Sequence, residues 1–197
     1  MQEVQLYLFD TNPYSFDELV ELFVVAPNQL KDIKKYKIEE GRKEHLISTY
    51  LKNHYVKNYS LNEKGKPISN NAKFNISHSH GIVVLALNKD REIGVDIEFV
   101  RPTKNELKVR ICSDFEYNFA SDDNKFMSIW TAKEAFLKMT SDGLIHDLKS
   151  INVLPLNSSK IIKNCSVFEK TFNINGCVIS ICLEGENDFE YRINFLK

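Results

Sequence analysis

The sequence predicts an α+β protein built as two pseudo-symmetric lobes, and three observations carry that expectation. Short stretches of alternating apolar residues, the period-2 signal of strands, recur at the start, in the middle and at the end of the chain. Between them lie runs whose apolar residues return every three or four positions, the helical signal. The order strand, helices, strands occurs twice, over residues 1–90 and 91–197, with no low-complexity linker between them. A chain of 197 residues, 43% apolar and 27% charged, is long enough to bury a core without staples.

Taken in order, Val4 to Phe9 alternates and reads as a strand. Ser15, with Glu18 three residues on, has the spacing of a capping box. It opens a helix through Phe16, Leu19, Val20, Leu22 and Phe23 that stops before Pro27. A basic stretch, Lys31 to Lys37, precedes a long helix from Ile38 to Val56 marked by Leu46, Ile47, Tyr50, Leu51 and Tyr55. Residues 58–71 form a polar loop containing Gly65-Lys66-Pro67. Phe74 to Ser77 and Gly81 to Leu87 are strands joined at His78-Ser79-His80, and Ile93 to Val100 is the next strand.

Glu106 to Ile111 and Phe115 to Phe119 read as short helices. A longer helix carries Phe126, Ile129, Trp130, Phe136 and Leu137 on one side and ends at Asp142-Gly143. Ile151 to Leu154, Cys165 to Phe172, Gly176 to Leu183 and Tyr191 to Phe195 then alternate as strands of an antiparallel sheet.

Lys plus Arg number 26 against 27 for Asp plus Glu, a balance that gives no bulk attraction to nucleic acid or membrane. Met1 to Val4 lacks the basic and apolar regions of a signal peptide, and the longest apolar run, Ile82 to Leu87, is too short to span a bilayer. Cys112, Cys165, Cys177 and Cys182 have no CxxC or metal-ligand spacing and are expected as reduced thiols in a cytoplasmic protein.

Asp96 and Glu98 stand two apart in a strand and project from one face. Alone, such a pair is usually a solvated face. Glu134 and Lys138 stand one helical turn apart, which alone is a minor surface pair. Lys133 falls inside the apolar stripe, where a lysine must be paired or must snorkel out. Ser77 and His78 sit among hydroxyls and backbone donors suited to a phosphate. Lys31, Lys34, Lys35, Arg42 and Lys66 form a basic set, some of it solvated surface. Three carboxylates and a lysine brought together would make a cation-and-phosphate site.

These residues fall in a recognisable pattern. Gly94-Val95-Asp96-Ile97-Glu98 followed by Trp130-Thr131-Ala132-Lys133-Glu134-Ala135-Phe136-Leu137-Lys138 resembles the paired motifs of the 4′-phosphopantetheinyl transferase superfamily, of the surfactin-synthetase-activating (Sfp-like) type. Phe74 to Ser79 and Gly65 to Pro67 match two further motifs in the family's order. The resemblance implies an active site in a cleft between an N-terminal lobe, residues 1–90, that contacts coenzyme A and a catalytic, metal-binding lobe, residues 91–197.

It also implies Mg²⁺-dependent transfer of the phosphopantetheine arm of coenzyme A to a serine of an apo acyl carrier or peptidyl carrier protein, releasing adenosine 3′,5′-bisphosphate. In that scheme Asp96, Glu98 and Glu134 hold Mg²⁺ and Glu134 is the base. Lys138 steadies the phosphate, and with Asp96 completes the catalytic set. Ser77, His78, Lys138, Lys66, Arg42, Lys31 and Lys35 bind coenzyme A. Two rival readings are a Mg²⁺-dependent phosphodiesterase or nuclease and a catalytically inactive carrier-binding homologue. Two lobes in one chain are expected to act as a monomer.

Overall fold

The alternating stretches sort onto two four-stranded sheets in a computed structural model that describes residues 3–63, 65–141 and 147–196. The first sheet has strands β1 (Glu3–Asp10), β4 (Lys73–Ser79), β5 (Ile82–Asn88) and β10 (Glu190–Phe195), in the order β10-β1-β5-β4. The second has β6 (Ile93–Phe99), β7 (Ser159–Ile162), β8 (Cys165–Ile174) and β9 (Cys177–Glu184), in the order β6-β9-β8-β7. A short ribbon pairs β2 (Ser60–Leu61) with β3 (Pro67–Ile68).

Six α-helices complete the α+β fold among the described residues: α1 (Phe16–Leu22), α2 (Pro27–Ile33), α3 (Glu39–Leu51), α4 (Asn105–Ile111), α5 (Asp114–Phe119) and α6 (Asp123–Thr140). The expected capping box closes on α1, where Ser15 accepts from the Glu18 amide and Glu18 accepts from the Ser15 amide. The end of α6 expected at Asp142-Gly143 lies outside the described residues, as do Met1 and Gln2.

Alternation along the strands decides how these parts stack. Val4, Leu6 and Leu8 of β1, with Val84 and Ala86 of β5, meet Ile93, Val95 and Ile97 of β6 and Ile179 and Ile181 of β9 in an apolar layer between the sheets. The opposite face of the first sheet, with Phe9, Phe74, Val83 and Leu85, is covered by Leu19 of α1 and Leu46, Ile47 and Leu51 of α3. The opposite face of the second, with Val167, Val178 and Cys182, is covered by α6. β9 is therefore buried on both faces, which is why its sequence is apolar almost throughout.

Several expectations need correction. Tyr191–Phe195 was expected in an antiparallel sheet with its neighbours, but β10 leaves them and pairs parallel with β1. The chain's last strand thus completes the sheet that its first strand opened, so residues 91–197 divide their strands between both sheets. Ile151 to Leu154 forms no strand, because the Val153 amide is taken by the buried Glu116 carboxylate instead of a ladder partner. The basic stretch hides α2, which Pro27 starts at the first helical position, where a missing N–H costs nothing. The β4–β5 turn is His80-Gly81, both at positive φ (50° and 77°), as a two-residue hairpin requires.

The feature that positions the site is how closely α6 lies on β6. Gly94 faces the helix, and a Cβ there would collide with the Ala135 carbonyl oxygen and the Met139 amide nitrogen. Only backbone fits at that point. Gly94→Ala must therefore push the helix away, an overpacking cost of about 3 kcal/mol. Urea unfolding of that variant should show a loss of this size with an unchanged m value, and wild-type stability would mean that the helix and strand are not so close.

Candidate active site

Two strands, β4 and β6, and two helices, α3 with its continuation and α6, each present side chains to a shared cavity of about 400 Å³, which is lined by Ser48, Lys52, Ser77, His78, Asp96, Glu98, Trp130, Glu134 and Lys138 among others. Period-2 geometry puts Asp96 and Glu98 on the α6 side of β6, while Val95 and Ile97 go to the layer between the sheets. The same alternation in β4 turns Ser77 toward β6 and His78 toward α3.

β4 and β6 are edge strands of different sheets, and side chains rather than a backbone ladder join them. Asn75 Oδ1 accepts from the Val95 amide at 3.2 Å. The Ser77 hydroxyl donates to Asp96 Oδ1 at 2.9 Å, and the Ser79 hydroxyl to Glu98 Oε2 at 3.0 Å. Alternate residues of β4 are thus spent holding the strand that carries the acids.

Lys138 reaches into this seam. Its ammonium donates to Asp96 Oδ1 at 2.7 Å and to the Ser77 hydroxyl at 2.8 Å. Glu98 Oε2 also accepts from Arg101 at 3.2 Å. These bonds leave two buried oxygens without any partner, Asp96 Oδ2 and Glu134 Oε1. Burial pushes the Asp96 carboxyl upward against the pull of Lys138 and Ser77. Burial, then the neighbouring Asp96, raises Glu134 to about 7, with Lys138 opposing and Glu98 adding.

Among the described residues, no three His, Cys, Asp or Glu side chains are gathered tightly enough to hold a metal ion as they stand. Two orphaned carboxylate oxygens on one cavity nonetheless fit a hard cation, because a cation that takes oxygen ligands would supply what both lack.

His78 is held from behind. Its Nδ1 lies 2.9 Å from Glu44 Oε2, and Glu44 Oε1 accepts from the Gly81 amide at 2.8 Å. One buried acid therefore fixes both the ring and the hairpin turn, and no local pattern in the α3 sequence marks it.

The expected basic set does not converge. Lys66 lines an adjoining cavity of about 290 Å³ with Pro67, Phe74, Ile76, Glu134 and Lys138. Its ammonium already donates to the Met139 carbonyl at 2.9 Å, the C-terminal end of α6. Arg42 donates to the carbonyls of Tyr36 and Lys37 and lies over the Phe16 ring. Lys31 is exposed on α2, and Lys35 pairs with Asp32 at 2.6 Å. Arg42, Lys31 and Lys35 line neither cavity.

Lys133 resolves as structural. Its three donors meet Glu116 Oε2 at 2.6 Å and the carbonyls of Ile111 and Leu148, each at 2.8 Å. The pair is fully buried and ties α6 to α4, α5 and the turn at Leu148–Ser150. Lys133→Met strands the Glu116 charge and should cost about 3–5 kcal/mol in denaturant unfolding, of which Lys133→Met/Glu116→Gln recovers part. Equal losses in both variants would mean that the pair is not what holds these elements.

Glu134 gives a pH-dependent counterpart. Its folded pKa of about 7 lies above its ordinary value of 4.5, so between those two pH values the folded protein binds the extra proton. Stability therefore falls as pH rises across that window. Glu134→Gln removes the effect, so in metal-free buffer the variant should gain in melting temperature over wild type from pH 4.5 to 7. A difference that stays constant with pH would show that Glu134 titrates normally.

Comparison with known proteins identifies the family. Residues 92–188 match the family model described as the 4′-phosphopantetheinyl transferase superfamily. The chain is 31% identical over 166 residues to the 4′-phosphopantetheinyl transferase ffp of Bacillus subtilis, covering 74% of each. It is 36% identical over 104 residues to the 4′-phosphopantetheinyl transferase Sfp of Bacillus subtilis strain 168, covering 48% of this chain and 46% of that one. Over 100 residues it is 36% identical to the 4′-phosphopantetheinyl transferase HetI of Nostoc sp., covering 44% and 42%. The match thus spans less than half the length of HetI and of Sfp and about three quarters of ffp. On this footing the chain belongs to the 4′-phosphopantetheinyl transferase superfamily, a family of transferase enzymes, in its Sfp-like type.

Proposed function

We propose that this protein transfers the 4′-phosphopantetheine arm of coenzyme A to a serine of an apo acyl or peptidyl carrier protein, acting in the cytoplasm as a monomer. The observation that carries the reading is the pair of unpartnered buried oxygens, Asp96 Oδ2 and Glu134 Oε1, beside Lys138 on one cavity. Asp96, Glu98 and Glu134 would hold Mg²⁺, which supplies charge neutralisation on the coenzyme A diphosphate when bound.

The residues of the chain account for the rest. His78 faces the cavity from β4 and offers its ring, fixed by Glu44, to phosphate oxygens, while Ser77, whose proton goes to Asp96, holds that carboxylate in place. Lys138 brings a point charge to the leaving side of the phosphorus. Glu134, at a pKa of about 7, is poised to take the proton of the carrier serine at neutral pH. The serine oxygen forms a new bond to the phosphorus that bears the pantetheine arm. The P–O–P bond breaks, and its electron pair leaves with adenosine 3′,5′-bisphosphate.

The test is incubation with coenzyme A, Mg²⁺ and an apo-carrier protein, read by intact mass. The carrier should gain one phosphopantetheine, and Glu134→Gln should lower the rate by about 10²–10⁴-fold while keeping the fold. Hydrolysis of coenzyme A with no mass gained by the carrier would replace this reading with a phosphodiesterase. A fully active Glu134→Gln would remove that residue as the base.

A further inference from the structure

The cavity has a second wall, opposite the acids. His45, Ser48 and Lys52 lie on one face of α3 and its continuation, at positions i, i+3 and i+7, and all three line the same space as Asp96 and Glu134. We propose that these three side chains form an anion-binding wall that grips phosphate oxygens of coenzyme A; the identity of that ligand rests on the transferase reading above.

Three observations support it. The Ser48 hydroxyl oxygen is buried and without a hydrogen-bond partner, in a residue only 5% exposed. Oxygens left in that state are rare unless something absent completes them. The Lys52 ammonium, for its part, pairs with no carboxylate among the described residues, and the contact it makes is with the Tyr59 ring, 5.5 Å from its centre. Burial alone pulls its pKa down, as for a cation deprived of water and given no counter-charge. His45, finally, stacks on the Tyr36 ring at 3.9 Å and meets His78 edge-on at 5.3 Å, contacts that fix the orientation of its ring.

The local backbone serves this arrangement. Lys52 is the first residue of a π-helical turn, Lys52–Val56, that extends α3. Such turns widen the helix and redirect the side chains they carry. The other lysine on the cavity, Lys138, is paired with Asp96 and so divides its charge between that carboxylate and the phosphate it would meet. A diphosphate carries more negative charge than a metal held by the acids and a half-committed lysine would offset, so further positive charge free of any carboxylate favours its binding. Lys52 is that charge.

The chain's single tryptophan, Trp130, lines the cavity and reports on its contents. Inorganic pyrophosphate should be titrated against tryptophan fluorescence in wild type, Lys52→Met, Lys52→Gln and Lys52→Arg, once in EDTA and once with Mg²⁺, with melting curves to confirm folding. The inference expects the midpoint to rise about tenfold or more in both neutral variants and to return toward wild type in Lys52→Arg. Midpoints within twofold of wild type in the neutral variants, in both buffers, overturn it. No response of the wild type in either buffer overturns it as well. Should pyrophosphate binding depend on Lys52 while no carrier is modified, the transferase reading fails and the anion wall stands. Should the carrier be modified at wild-type rate and affinity by Lys52→Met, the reverse holds.

Discussion

The contact between α6 and β6 at Gly94 is the constraint on which the site depends. A helix packed on a strand is normally held off by the side chains that fill the space between them. Here the gap is closed at one residue, because glycine lets the helix backbone rest on the strand. Two and four residues further along β6, Asp96 and Glu98 emerge on the same face, where α6 offers Glu134 and Lys138. The glycine and the acids are therefore one device. Its first member sets the separation at which the others meet, and a larger residue there would part the carboxylates without touching them.

That proximity has an electrostatic cost that the fold does not cancel. One ammonium, Lys138, is shared with Asp96 and Ser77, while Glu134 keeps an oxygen with no partner. A stability-optimised site would have paired or replaced that acid, as it does for Lys133, whose three donors all find acceptors. The two lysines sit five residues apart on one helix and show the contrast directly. One is satisfied and structural, and the other joins a cluster left short of positive charge. Unmet demand of this kind marks where a ligand belongs.

How much of this could be read from the chain follows from which forces are local. Asp96 and Glu98 on one strand face, Glu134 and Lys138 one turn apart, and the Ser15–Glu18 cap are fixed by strand or helix periodicity, and all were legible. The parallel pairing of β10 with β1 was not, since no local pattern tells a strand which of two sheets will take it. Ile151 to Leu154 alternates like a strand, yet its backbone is satisfied by Glu116, a side chain thirty-seven residues from Val153. Arg42, Lys35 and Lys66 looked alike as positive charges. What separates them is the carbonyl, acid or ring each meets in space, and sequence does not print that.

The site's placement at the seam between β4 and β6 explains its division of labour. The acid wall comes from residues 96–138 and is packed against the second sheet. The wall of His45, Ser48, Lys52 and His78 belongs to elements packed against the first. Asn75, Ser77 and Ser79 join the two edges through side chains, so the distance between opposite charges is set by three hydrogen bonds rather than by a continuous ladder. Side-chain bonds of this kind can lengthen or re-form without breaking either sheet. A diphosphate bound in the seam would meet Lys52 on one side and a cation-demanding acid cluster on the other. Neither half of the chain holds that pair of walls by itself, which is why β10 returning to β1 matters: it closes the second half of the chain onto the first and keeps the two walls facing each other.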